Sequence, residues 1–171
     1  MNRFKDLADN KGILFKGAYH MLNQKEASLI QDLKDQEKLC IQKYMRYADA
    51  AHDQELKDLF NTLKENEVNH YEALEALKKD DASMPNIKHL DATEYCPKGT
   101  YAKGDTSCEK EDDEYFCTDS ISMEKYVASA YNNDLFQFAS STVRDVLNQI
   151  ETDEQNHGEM IYKYKTVNGM A

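Results

Sequence analysis

The sequence predicts an all-α protein, a four-helix bundle made of two repeated helical hairpins with a long crossover connection. Three observations predict it. Apolar residues recur at helical spacing through four long segments. The two prolines, Pro85 and Pro97, both lie mid-chain and leave the flanking segments uninterrupted. Residues also recur at a constant offset of 87: Glu37 with Glu124, Glu67 with Glu154, and His70 with His157. The same offset pairs Lys38 with Lys125, Tyr44 with Tyr131, Glu72 with Glu159, and Leu56, Leu59 and Leu63 with Val143, Val146 and Ile150. A repeat of this length implies two similar supersecondary units packed together.

Residues 1–171 read as a single domain. Residues 1–22 form an N-terminal arm whose Ile13, Leu14 and Phe15 can pack onto the bundle. The first hairpin spans 23–79. Asn23 followed by Glu26 resembles a capping box, and Leu33, Glu37, Cys40, Ile41, Tyr44 and Ala48 share one face to about Ala51. Asp53 caps a second helix to about Lys79, with Leu56, Leu63, Glu67, His70, Leu74 and Leu77 inward. Residues 80–118 hold both prolines, Gly99, Gly104 and the acidic run EKEDDEY, and read as a cysteine-containing crossover. A connector of that length suits a bundle whose second and third helices are parallel. The second hairpin spans 119–168. Its third helix runs from about Asp119 to Phe138 with Glu124, Val127, Ala128, Tyr131 and Leu135 inward. Its fourth is capped by Ser140 or Ser141, carries Val143, Leu147, Ile150, Glu154, His157 and Ile161, and stops near Gly169.

The repeated polar residues form a metal-ligand pattern. Glu67 and His70 in the run ENEVNH are three apart, as are Glu154 and His157 in TDEQNH, so each pair shares a helix face. With hairpin turns at His52 and Ala139, every glutamate of the set lies 15 residues from its turn, about 22 Å along a helix. Each hairpin then sets one glutamate opposite one E-x-x-H at a common height. Pairing the hairpins about a two-fold axis gathers Glu37, Glu67, His70, Glu124, Glu154 and His157, the ligands of a carboxylate-bridged dimetal site. Two divalent cations match the charge of four carboxylates that burial would otherwise penalise heavily. Carboxylates with one imidazole per metal point to iron first and manganese second, and zinc can occupy such a site. Asp153 is placed to orient His70 and Asn66 to orient His157, across the helix pair, unless both face solvent. Tyr44 and Tyr131, two turns beyond Glu37 and Glu124, either hydrogen-bond a ligand carboxylate, serve in electron transfer, or pack in the core.

Net charge is −11, which argues against nucleic acid as a partner. No apolar stretch has bilayer-spanning length and the N-terminus lacks a signal-peptide core, so no membrane association and a cytoplasmic location are the expectations. Cys40 lies one turn from Glu37 and reads as a small buried filler. Cys96, Cys108 and Cys117 form no C-x-x-C pair. They could form a disulfide under oxidising conditions, leave a thiol for cross-linking, or join His89 at an irregularly spaced zinc site.

The ligand pattern resembles the ferritin-like superfamily, in particular rubrerythrin-type di-iron proteins, over both hairpins. The resemblance implies a di-iron centre on these six residues that reacts with dioxygen or hydrogen peroxide and takes electrons from an external donor. Rubrerythrins carry a further glutamate three residues after the third-helix ligand, where this chain has Val127, and usually a rubredoxin domain, which the cysteine spacing here does not encode. The stretches QEKLCIQKYMRYADAAHDQELKDLFNTL and STVRDVLNQIETDEQNHGEMIYKY also resemble spore-coat proteins of the Coat F type from spore-forming Firmicutes. That resemblance implies a structural place in a spore coat, with other coat proteins or a second copy of the chain as partners. Three functions are therefore in competition: a peroxide- or dioxygen-reducing or ferroxidase-type oxidoreductase, a coat component whose metal pair is mainly stabilising, and a metal-storage shell. The cysteine-bearing connector fits a cage subunit least.

Overall fold

Four helices account for the bundle: α1 (Gln24–Ala50), α2 (Gln54–Lys78), α3 (Cys108–Leu135) and α4 (Ser141–Val167). The computed structural model describes residues 22–79 and 85–171. The expected packing of the N-terminal arm lies outside the described residues. No strand occurs among them, and none of these helices is long and apolar enough to cross a membrane.

Each helix begins where a short polar side chain satisfies an orphaned backbone N–H. Asn23 accepts from the Glu26 amide while the Glu26 carboxylate accepts from the Asn23 amide, a reciprocal capping box. Asp53, Ser107 and Ser140 cap the other three. After α4, Gly169 takes φ +63°, a conformation glycine adopts without penalty.

Side-chain pairs fix the directions of the helices. Gln31 and Lys34 of α1 meet Lys78 and Glu75 of α2, and Thr118 and Glu124 of α3 meet Lys165 and His157 of α4, so each hairpin is antiparallel. Tyr44 reaches Glu124 while Tyr131 reaches Glu37, so α1 and α3 are antiparallel. His70 faces Asp153 while His157 faces Asn66, so α2 and α4 are antiparallel too. Helices α2 and α3 therefore point the same way, and the chain must travel the length of the bundle between them, about 40 Å for helices of this size.

The connector makes that journey along the seam of α2 and α4. Asn66 and Asn69 donate to the carbonyls of Lys88 and Asn86, Asn156 to that of Leu90 and Lys163 to that of Ala92. Near its end the amides of Thr100 and Tyr101 donate to the Asn168 side chain at 2.8 and 3.0 Å. Gly99 passes so close that a Cβ there would sit 2.8 Å from the Val167 carbonyl oxygen.

The crossover is shorter than the expected 80–118. Helix α3 starts at Cys108, not near Asp119. The acidic run read as a loop is its first turns: Ser107 caps it, and Glu109 and Glu111 lie where the helix dipole favours negative charge. The repeat carries the same information, since α1 begins at Gln24 and the offset of 87 puts its counterpart at Glu111.

The hairpins also hold each other's turns. The Glu26 carboxylate accepts from the Ala139 amide at 2.9 Å. Its repeat partner Asp113, fully buried, accepts from the His52 and Asp53 amides at 2.9 and 3.0 Å. Two apolar clusters fill the bundle, one around Leu33, Leu74, Leu147 and Ile150, the other around Phe60, Leu63, Ile161 and Tyr164.

Asp53 has three tasks at one bundle end, capping α2 and accepting from the Thr100 and Tyr164 hydroxyls at 2.5 and 2.6 Å. Asp53→Ala should destabilise the protein by about 2–3 kcal/mol in urea unfolding, against about 1 kcal/mol for Ser140→Ala at the matching cap. Equal losses would show that the two hydroxyl bonds contribute nothing.

Candidate metal centre

Between the two apolar clusters lies one polar layer. Glu37 comes from α1, Glu67 and His70 from α2, Glu124 from α3, and Glu154 and His157 from α4. All six are at most 1% exposed. Their donor atoms fall into two overlapping groups, within each of which the atoms lie no more than 4.8 Å apart: Glu37, Glu67, His70 and Glu154; and Glu67, Glu124, Glu154 and His157. Glu67 and Glu154 belong to both.

Four of the six residues are oriented by a side chain of the opposite hairpin. His70 Nε2 lies 3.2 Å from Asp153 Oδ2, and His157 Nε2 lies 2.7 Å from Asn66 Oδ1. Because carboxylate and amide oxygens only accept, each imidazole donates through Nε2 and turns Nδ1 toward the carboxylates. The Tyr44 hydroxyl donates to Glu124 and the Tyr131 hydroxyl to Glu37. That leaves eight ligand atoms buried without a hydrogen-bond partner: one oxygen each of Glu37 and Glu124, both oxygens of Glu67 and Glu154, and Nδ1 of both histidines. Buried polar atoms are rarely left unsatisfied, and these eight converge in groups that could hold a metal ion. Each Nδ1 lies 3.1–3.8 Å from carboxylate oxygens of the layer.

Electrostatics follow from that crowding. Burial, then the neighbouring Glu67, pushes the Glu37 carboxyl up to about 8. Burial, then the other three glutamates, raises Glu154 well above the usual range. For Glu67 burial acts in the same direction but is overcome by His157 and His70, and its carboxyl is held low. The imidazoles resist burial because carboxylates surround them: His70 is raised well above its ordinary value and His157 to about 9. The two tyrosine hydroxyls are likewise pushed up by burial and by the adjacent carboxylates.

Sequence reasoning missed His89 as part of this environment. Half-exposed on the connector, it places Nδ1 3.0 Å from Asp153 Oδ1, behind His70. Nothing in the spacing of a loop histidine reveals that contact, which exists only because the connector lies over the α2–α4 seam. The zinc arrangement weighed for His89 and the cysteines is not formed, since His89 bonds Asp153 and Gln149 instead. Cys96 and Cys108 are exposed, Cys40 and Cys117 are buried, and all four are free thiols. Cys117, read from sequence as part of the connector, faces the core of α3 because that helix starts earlier than expected. Burial raises the Cys40 and Cys117 thiols above their ordinary range and keeps both protonated.

A family model, the Coat F domain, matches residues 112–171, most of α3 and all of α4. No curated protein and no solved structure matches the chain.

The pH dependence of the metal-free protein follows from these shifts. Glu37, Glu154 and both histidines hold protons more tightly folded than unfolded, so folding takes up protons between the unfolded values, 4.5 for glutamate and 6.5 for histidine, and the higher folded ones. Stability should then fall as pH rises through that window. Glu67 acts oppositely, but only below its unfolded value of 4.5. Chemical denaturation of chelator-treated protein should give lower stability at about pH 8.5 than at about pH 6. A flat or rising profile would mean that the buried layer is hydrated or rearranged without metal.

Proposed function

We propose that this chain is a structural spore-coat component whose four-helix bundle is clamped by two metal ions. The match of the second hairpin to the Coat F domain carries the coat assignment. The eight partnerless ligand atoms support the metals. In this reading the chain is a ferritin-like relative that keeps a full ligand set.

The residues present fit the metals. Glu37 and His70 would hold one ion, Glu124 and His157 the other, with Glu67 and Glu154 spanning both. Two divalent cations balance four carboxylates. A redox-active metal such as iron would, when bound, supply electrons to a small oxidant. Asp153 and Asn66 fix the imidazole planes, and Tyr44 and Tyr131 fix the outer carboxylates. Each group of ligands draws residues from both hairpins, so metal binding would tie the two hairpins together directly. Exposed Cys96 and Cys108 offer thiols to neighbouring coat proteins.

A second reading, a rubrerythrin-like oxidoreductase using hydrogen peroxide or dioxygen with an external electron donor, is favoured by one observation. Both outer carboxylates accept a hydrogen bond from a buried tyrosine, a group able to donate a proton or an electron beside a redox metal.

Anaerobically purified protein should contain two metal ions per chain, and their removal should lower the melting temperature. Glu67→Ala with Glu154→Ala should abolish that content; full content in the double variant would place the metals elsewhere. In sporulating cells a tagged chain should be recovered in the coat extract, and recovery only from the soluble cytosol would overturn the coat assignment. Stoichiometric consumption of peroxide or dioxygen by the ferrous protein, with turnover on an added reductant, would favour the oxidoreductase instead.

A further inference from the structure

The two hairpins are built alike around the ligands, but their outer faces are not. On the α1–α2 face, buried Lys34 pairs with Glu75, and its ammonium lies 4.9 Å from the centre of the Tyr71 ring. Lys34 lies one turn from Glu37, and Tyr71 one turn from Glu67. The offset of 87 converts Lys34, Glu75 and Tyr71 on the α3–α4 face to Ile121, Tyr162 and Gly158. The ion pair is lost, the aromatic plug is replaced by a hydrogen atom, and Tyr162 stands 56% exposed. What remains is a cavity of about 450 Å³ between Ile121, Gly158 and Tyr162, with Glu124 and Glu154 in its wall and the oppositely charged Lys125 and Glu159 also lining it. Glu124 is also the one ligand whose side chain retains any exposure, 2% against 0% for the other five.

We infer that this cavity is the port through which divalent cations reach the buried layer, and that the opposite face is sealed by Tyr71 and the Lys34–Glu75 pair. The inference rests on the metal reading above and adds a direction of access to it. Size and charge agree. Six water molecules at roughly 30 Å³ each occupy well under half of the cavity, so a hydrated ion fits without forcing the helices apart. The port leads to Glu124 and Glu154, carboxylates that can replace that hydration. On the other face the partly exposed Glu75 carboxylate is already paired with the buried Lys34 ammonium. Gly158 itself is not required by backbone geometry, since a Cβ there would meet only Glu124 Cβ, at an ordinary 3.8 Å. Its absence of side chain therefore serves space and not conformation.

Cobalt(II) is a suitable probe, because its visible absorption reports ligation during loading of the metal-free full-length protein. Gly158→Tyr, which installs the residue of the matching position, should slow loading at least tenfold while the final content stays at two per chain. Adding Tyr71→Gly and Lys34→Ala to that variant should restore the rate by opening the other face. A folded G158Y protein that loads at the wild-type rate would overturn the port and leave the metal centre standing. Wild-type protein that takes up no cobalt would overturn the metal centre, and the port with it. If circular dichroism shows G158Y unfolded, Ile121→Lys with Tyr162→Glu at the mouth decides the matter: slowed loading supports the port, unchanged loading overturns it.

Discussion

Everything in this molecule is arranged around the burial of four carboxylates and two imidazoles in a single layer. Moving charged groups from water into a protein interior costs several kcal/mol each even after relaxation. Leucine at these positions would avoid that cost. The layer is nevertheless complete, and apolar clusters above and below exclude solvent from it. Its orphaned atoms face one another, not the surface.

The supports of that layer are exchanged between the hairpins. A residue of α4 braces the histidine of α2, and a residue of α2 braces the histidine of α4. Tyrosines of α1 and α3 brace each other's glutamates. Even the turns are held crosswise, by Glu26 and Asp113. Neither hairpin can therefore complete its half of the site alone. This coupling joins the two hairpins through the layer itself.

The connector breaks the symmetry. It lies on the α2–α4 seam, where it brings His89 against Asp153; the Asn66 side chain instead holds a connector carbonyl. The outer faces differ as well, one carrying a part-buried ion pair beside a tyrosine, the other a cavity at Gly158. A duplicated scaffold has thus kept its ligand layer in register while its surfaces diverged, as expected when the layer is constrained by geometry and the surface is not.

How much of this was legible in the sequence depends on whether the information is local or periodic. Helical spacing, the caps at Asn23, Asp53 and Ser140, and the six residues at an offset of 87 are properties of the string, because helix geometry converts spacing into position. Those residues determined the all-α class, the hairpin pairing and the common height of the ligands. The start of α3 was obscured because a run of like charges reads as solvated loop, although the repeat itself placed it near Glu111. Only the tertiary structure decided that Tyr44 and Tyr131 bond the opposite hairpin's glutamates, that Cys117 is buried, that His89 stands behind Asp153, and that one face is open at Gly158. Those facts depend on how the two hairpins and the connector dock, which is set by side-chain contacts between segments distant in the chain, and no spacing rule along one helix encodes it.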